Sequence, residues 1–148
     1  MITTKDDSIR VLHRIFDEGF STGDTAIVDE LCSPDLIEHQ FGLQGTGPAA
    51  LDRVKAAIRD VHTMAPDLRF RIEDSARSGD VVWVRVHAIG TATGPFFGPA
   101  SGRPLDFTVV DIARILDGRI VEHWGVPDRF AILAQTGVLE RVSAAPTP

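Results

Sequence analysis

The chain has 148 residues, of which 43% are hydrophobic, and its formal net charge is -6. This length and apolar share predict one compact domain with its own core. No basic run and no apolar stretch of roughly 20 residues occurs, so neither a nucleic acid nor a membrane is expected as a partner.

The N-terminal residues are not expected to form a signal peptide. "MITTKDDSIR" lacks the hydrophobic segment of a signal peptide, so we expect a cytoplasmic protein. The single cysteine, Cys32, excludes an internal disulfide and is expected to be a buried small hydrophobe. The domain is expected to span 1–142, and the Pro-containing residues 143–148 to form a flexible tail.

Three helices are predicted before Pro66. The first is indicated by helical spacing of Ile9, Leu12, Ile15, Phe16 and Phe20. A short second helix is capped near Asp24 and ends before Pro34. The third begins at Thr46-Gly47-Pro48, with proline in its first turn. Its predicted buried stripe consists of Leu51, Val54, Ile58 and Val61.

After Pro66 the hydrophobic period changes from helical to two, which predicts four strands. A hairpin turn at Asp117-Gly118 joins the last two, since both turn positions favour positive φ. A short closing helix in 127–137 ends at Gly137. The predicted strands are 68–74, 80–90, 104–116 and 119–126.

Helices followed by consecutive strands predict an α+β fold with a curved, largely antiparallel sheet. Such a sheet wraps over the helices as a cone whose concave side can hold a pocket. Alternation along 80–90 predicts Val82, Val84 and Val86 on the concave side. On the convex side we expect Trp83, Arg85 and His87, and an ion pair between Arg114 and Glu122.

The predicted convex face also suggests how the protein assembles. An outward tryptophan among charged residues is typical of a subunit interface. We therefore expect a homodimer that forms through the convex sheet face.

Two segments resemble a known family. They are "GTATGPFFGPASGRPLDFTVVDIARILDGRIVEHWGVPDRFAILAQTG", residues 90–137, and "FDEGFSTGDTAIVDELCSPDLIEH", residues 16–39. Both resemble the SnoaL-like polyketide cyclases of the NTF2-like superfamily. The resemblance implies the NTF2-like cone and an intramolecular aldol ring closure without metal or nucleotide, in which a pocket carboxylate works as acid and base.

The chain departs from this family at the expected catalytic position. In the family an Asp lies two residues before the Pro that begins the last segment, and Gly125 stands there in this chain. The family's His two residues earlier is retained as His123. A His on the preceding strand is replaced by Asp111, and a nearby Gln by Val109. The resemblance therefore implies the pocket, but another carboxylate in it.

The candidate catalytic residues are Asp111, His123 and His39. Asp111 lies in an otherwise apolar strand, where partial burial suits a general acid or base. His123 is expected to share the inward face with Gly125 and to hydrogen-bond Asp111 across the strands. His39, in "LIEHQF", is expected where a short strand enters the cone. We expect the substrate to occupy the space left by the glycine.

Further residues are expected to bind the substrate. The glycine-rich loop "GPFFGPASG" lies between strands and is interpreted as an apolar lip over the mouth of the cone. No spacing typical of a metal site and no phosphate loop that opens a helix is present, so no metal and no cofactor are expected. The predicted substrate-binding residues are His62, Phe96, Phe97, Val109, Trp124 and Gly125.

These observations favour an enzyme that transfers protons next to a carbonyl in a hydrophobic small molecule such as a polyketide. Aldol cyclisation, isomerisation and dehydration all fit, and an Asp–His pair that activates water or an epoxide is a related alternative. A second class is a non-catalytic small-molecule binding protein, for which Gly125 is the main argument.

Overall fold

A computed structural model describes residues 5–144 and confirms the α+β class, with a curved six-stranded sheet. The predicted tail lies largely outside these residues, so the boundary at 142 stays a prediction. The elements in chain order are α1 (Lys5–Arg14), a π-helical segment (Ile15–Phe20), α2 (Ala26–Leu31), β1 (Cys32–Glu38), β2 (Gly45–Thr46), α3 (Gly47–Met64), β3 (Arg69–Ser78), β4 (Val81–Thr91), β5 (Pro104–Leu116), β6 (Arg119–Pro127), α4 (Arg129–Gln135) and α5 (Val138–Ser143).

The strand order in the sheet is β2-β1-β6-β5-β4-β3. The pairs from β3 to β6 are antiparallel, and β1 pairs with β6 in parallel. This parallel pair sets Glu38 beside His123. The β5–β6 pair sets Asp111 opposite Gly125. The sheet order thus brings residues of three strands to one place.

The core lies between the concave face of the sheet and the helices. Val82, Val84 and Val86 are buried there, whereas Trp83 and Arg85 are exposed, which confirms the predicted alternation. The largest fully buried side chains join β1, α3 and the long strands to α1, and include Leu12, Leu36, Ile58, Leu68 and Leu105.

Short local sequence patterns predicted the hairpin turn and several helix ends that the structure contains. Asp117 and Gly118 adopt φ angles of 50° and 74°, as the hairpin prediction requires. The helix α3 has Pro48 in its first turn, and Asp128 accepts a hydrogen bond from the backbone of Ala131 to cap α4. The first helix differs from the prediction, because its second half is π-helical. The strand β2 and the helix α5 were not predicted.

None of the helices within residues 5–144 is both long and apolar enough to cross a membrane.

Candidate active site

A cavity of about 600 Å³ lies between the concave sheet face and the helices. Its walls are mostly apolar side chains from α1, the π-helical segment, α3, β5 and α4. Its polar side chains sit mainly on the sheet side, where Glu38, Gln40, Asp111 and His123 line it. An apolar chamber with a few convergent polar groups is the usual form of a small-molecule site.

The imidazole of His123 lies between two carboxylates. Its Nε2 is 2.7 Å from Asp111 Oδ2, and its Nδ1 is 2.8 Å from Glu38 Oε2 and 2.9 Å from Glu38 Oε1. The predicted bond between Asp111 and His123 is therefore confirmed. Asp111 is 6% exposed and Glu38 is 3% exposed, and the side chain of His123 between them is 15% exposed, so the three groups form one largely buried cluster.

The cluster changes the charge state of the histidine. Burial by itself lowers the pKa of His123, but the charge of Asp111 and the hydrogen bonds that the ring donates to Asp111 and Glu38 outweigh it and raise this pKa to about 10. At neutral pH His123 is therefore an imidazolium that donates from both nitrogens. Asp111 keeps Oδ1 without a hydrogen-bond partner among the residues that the structure describes.

The space beside Gly125 is occupied by protein. A Cβ added at this glycine would collide with the side-chain amide oxygen of Gln40 and would lie 3.0 Å from Asp111 Oδ1. The expectation that substrate fills this room is therefore wrong. Gln40 reaches it from the residue pair that follows β1, and its backbone N–H donates to Glu38 Oε1 at 2.8 Å.

Three predicted substrate-binding residues line the cavity. Val109 is buried on β5, two residues from Asp111, and Phe96 and Phe97 lie at the cavity's edge. The two rings meet edge to face, with centroids 4.8 Å apart. Phe97 is 77% exposed, as expected of a lip over the mouth.

His39 and Trp124 lie on the opposite, convex side of the sheet, which corrects their expected place in the pocket. Their rings stack at a centroid distance of 4.8 Å, and His39 Nε2 is 2.8 Å from Glu122 Oε1. The reason is strand alternation: His39 follows the inward Glu38, and Trp124 follows the inward His123. Glu122 also meets Arg114 at 3.2 Å, as predicted.

His62 is corrected as well. It lies in the last turns of α3, where its ring faces Gly23, and it does not contribute to the cavity wall. The ring atom Cγ lies 3.1 Å from the point where a Cβ on Gly23 would be. The helix turns this side chain towards the segment before α2. The ring of His62 therefore packs against Gly23 and does not face the cavity where substrate is expected.

Glu38 and Gln40 are not among the residues predicted from the sequence. A signal for Glu38 was present, because Leu36 begins an inward alternation that puts residue 38, and not 39, in the cone. Gln40 had no local signal, since its position depends on a glycine 85 residues later in the chain. Cys32 is buried as expected, and burial, then Glu38 and Asp29, raise the pKa of its thiol to about 12.

Among residues 5–144 no group of three His, Cys, Asp or Glu side chains is arranged to hold a metal ion.

Comparisons with known proteins agree on one family. The model of the family described as SnoaL-like polyketide cyclase matches residues 10–136. The nogalonic acid methyl ester cyclase of Streptomyces nogalater is 30% identical over 125 residues, which cover 80% of this chain and 89% of that protein.

Solved structures are also similar to this chain over most of its length. IdmH of Streptomyces antibioticus, described as a candidate polyketide cyclase, is 31% identical with a TM-score of 0.75, over 88% of this chain and 98% of that one. TsrD of Streptomyces laurentii is 25% identical with a TM-score of 0.78, over 90% and 97%. The predicted NTF2-like cone is confirmed.

Proposed function

Because the chain belongs to the family of SnoaL-like polyketide cyclases, we propose that it closes a ring in a hydrophobic, carbonyl-bearing small molecule by an intramolecular aldol reaction, with Asp111 as the base. The observation that carries this proposal is the geometry of Asp111. Its Oδ2 is held by the imidazolium of His123, while its Oδ1 has no hydrogen-bond partner within residues 5–144 and belongs to a side chain that lines the cavity. The carboxylate is thereby oriented for proton transfer.

The reaction balances without a co-reactant. Asp111 Oδ1 takes a proton from the carbon next to one carbonyl, and the resulting enolate carbon bonds to a second carbonyl carbon of the same molecule. The proton then passes from Asp111 to the new alkoxide oxygen. The product is an isomer of the substrate, in which one carbon–carbon bond has formed and one carbonyl has become a hydroxyl.

The buried cluster suits this proton transfer electrostatically. Two carboxylates and one imidazolium carry a net charge of -1 beside the cavity. When Asp111 accepts the proton, its negative charge passes to the enolate, so the total charge of the site stays constant. Because creating additional buried charge is expensive, a site with constant charge avoids that cost. His123, held by Glu38, fixes the carboxylate and keeps its own proton throughout.

Turnover of nogalonic acid methyl ester and a panel of related aromatic polyketides tests the proposal. Asp111→Asn keeps the size of the side chain but removes the base, so kcat should fall by about 10²- to 10⁴-fold. Asp106→Asn is the matched control, since Asp106 lies on the same strand with an exposed side chain that contacts His87. Full activity in a folded Asp111→Asn protein would overturn the role of Asp111.

A second candidate function is non-catalytic binding of the same class of molecule. It is favoured by Gly125, which stands where the resemblance places the family's catalytic carboxylate. This alternative becomes the better one if the wild-type protein binds members of the panel tightly and converts none of them.

A further inference from the structure

The cavity places several polar side chains near Asp111, but most of their hydrogen-bonding groups are already engaged. Both ring nitrogens of His123 face carboxylates, and both oxygens of Glu38 accept from His123. Arg129 also lines the cavity, where one of its N–H groups donates to the backbone oxygen of Phe41 and its guanidinium lies over the Phe41 ring. The donor of interest is the one that lies beside Asp111 itself.

Gln40 is placed to supply it. A Cβ added at Gly125 would meet both the amide oxygen of Gln40 and, at 3.0 Å, Asp111 Oδ1, so the Gln40 amide group and the Asp111 carboxylate lie on either side of this glycine. The amide nitrogen Nε2 donates to no atom of residues 5–144, yet the described residues include no buried side-chain nitrogen without a partner. The NH2 group is thus accessible, on a residue that lines the cavity.

The backbone of Gln40 is fixed by its neighbours. Its N–H donates to Glu38 Oε1 at 2.8 Å, and its carbonyl accepts from the backbone of Leu43 at 2.9 Å. Glu38 therefore orients two groups at once, the imidazolium on one side and the Gln40 backbone on the other. The absent side chain at Gly125 leaves the space that the amide fills.

We propose that Gln40 is a catalytic residue whose NH2 group donates a hydrogen bond to the reacting carbonyl oxygen of the substrate, next to the proton that Asp111 removes. This inference rests on the proposed function and adds to it the group that stabilises the enolate. As the proton leaves for Asp111, negative charge develops on this oxygen, and a donor already in place stabilises it. The substrate class is thus a ketone or ester whose enolisable carbon reaches Asp111 Oδ1 from the cavity while its carbonyl oxygen reaches the NH2 group of Gln40.

Gln40→Met tests the inference in turnover, because methionine keeps the length of the side chain and removes the donor. We expect kcat to fall by about 10- to 1,000-fold, in the range found for loss of a single oxyanion donor, with the midpoint of thermal unfolding nearly unchanged. Gln44→Met is the matched control in the same loop, where Gln44 accepts from the backbone of Gly42. It should retain wild-type kcat.

Gly125→Ala provides a second variant in which Gln40 itself is kept. The new methyl group would occupy the place of the amide oxygen, which lies at the end of a flexible side chain and can move. We expect this variant to lower kcat about as much as Gln40→Met. Combining both changes should add little to either one, since each removes the same amide from the site.

A binding measurement separates this inference from the proposed function, because it needs no turnover. The probes are 2-naphthol, whose hydroxyl can donate to Asp111 and accept from Gln40, and naphthalene, which has no hydroxyl. Gln40→Met should weaken 2-naphthol binding by about fivefold, the usual effect of one hydrogen bond, and leave naphthalene binding unchanged. An equal effect on both probes, or none on either, overturns the role of Gln40. An inactive Asp111→Asn protein beside a fully active Gln40→Met protein would overturn this inference alone.

Discussion

His123 illustrates how much a single residue depends on its neighbours. An isolated histidine would be mostly neutral at pH 7, but the carboxylates of Glu38 and Asp111 hold its pKa near 10. The residue therefore serves as a fixed positive charge and a double donor. A histidine that stays protonated at neutral pH cannot act as a base there, and in the proposed reaction that role falls to Asp111.

The stability of the protein should consequently fall in alkaline solution. The pKa of His123 is about 10 in the folded chain and about 6.5 in the unfolded one, so the folded state binds one more proton between these values. The stabilisation is complete below pH 6.5 and lost as the pH rises towards 10. We expect His123 to contribute a decline in the free energy of unfolding of up to about 1.4 kcal/mol per pH unit in this window, measured by urea unfolding.

Two comparisons check this assignment. Nuclear magnetic resonance should show no titration of the His123 ring between pH 5.5 and 8.5, and a ring that titrates near pH 6.5 would contradict the structure. In Glu38→Gln one of the two carboxylates is gone, so the pKa of His123 in the folded chain should drop. The alkaline decline should still begin near pH 6.5, but it should end at a lower pH and be smaller in total. The Glu73→Gln protein, altered at the exposed residue beside Arg71, is the matched control.

At the scale of elements, the loop between β4 and β5 is fixed to α3 through a glycine. The N–H of Gly94 donates to the carbonyl of Met64 at 2.8 Å, and an added Cβ would collide with the backbone carbonyl of Thr63. A backbone atom cannot rotate away as a side chain can. The position of Phe96 and Phe97 over the cavity therefore depends on this close approach.

Gly94→Ala should move this loop away from the end of α3 and open the mouth of the cavity. We expect weaker binding of 2-naphthol and of naphthalene alike, because the change acts on apolar contacts and not on Gln40. Fluorescence titration measures both. Gly102→Asn in the same loop is the control, since nothing lies within 4 Å of a Cβ there and asparagine tolerates its φ of 67°. Unchanged affinity in Gly94→Ala would show that the loop does not shape the site.

The elements also show what sequence alone could predict. The long strands and their faces were predictable, because alternation over ten or more residues is a strong signal and Asp117-Gly118 fixes the last hairpin. The face of β1 was misassigned because His39 looked more reactive than Glu38, although the period of two favours the glutamate. The place of Gln40 was beyond prediction, since it depends on a pairing between distant strands.

At the scale of the molecule, the convex sheet face carries apolar side chains that one chain leaves in contact with solvent. Trp83 is 47% exposed and Val126 is 62% exposed, and Ile112 pairs with Trp83 on one side and Trp124 on the other. The face is continuous across the central strands β4, β5 and β6. A patch of this kind favours an interface, and we retain the prediction that two copies pair through it.

Trp83→Asp should shift the protein from dimer to monomer, because a carboxylate would be buried without a partner at the interface. Light scattering at tens of micromolar checks the mass. Val142→Asp is the matched control, since Val142 is 69% exposed on α5, away from the sheet. A wild-type monomer at this concentration, or a dimer that Trp83→Asp leaves intact, would exclude this interface.

The parallel pairing of β1 with β6 has a consequence for how the chain reaches its folded state. It joins an early strand to the last one, so the contact between Glu38 and His123 spans 85 positions of the chain. Closing so long a loop costs more entropy than closing a local hairpin. Contacts between residues far apart in the chain therefore typically form late in folding. Glu38 would otherwise be buried without its imidazolium. The contact of Glu38 with His123 and the pairing of β1 with β6 should therefore form in one cooperative step. During synthesis, β6 must therefore have left the ribosome before the cluster of Glu38, His123 and Asp111 can form.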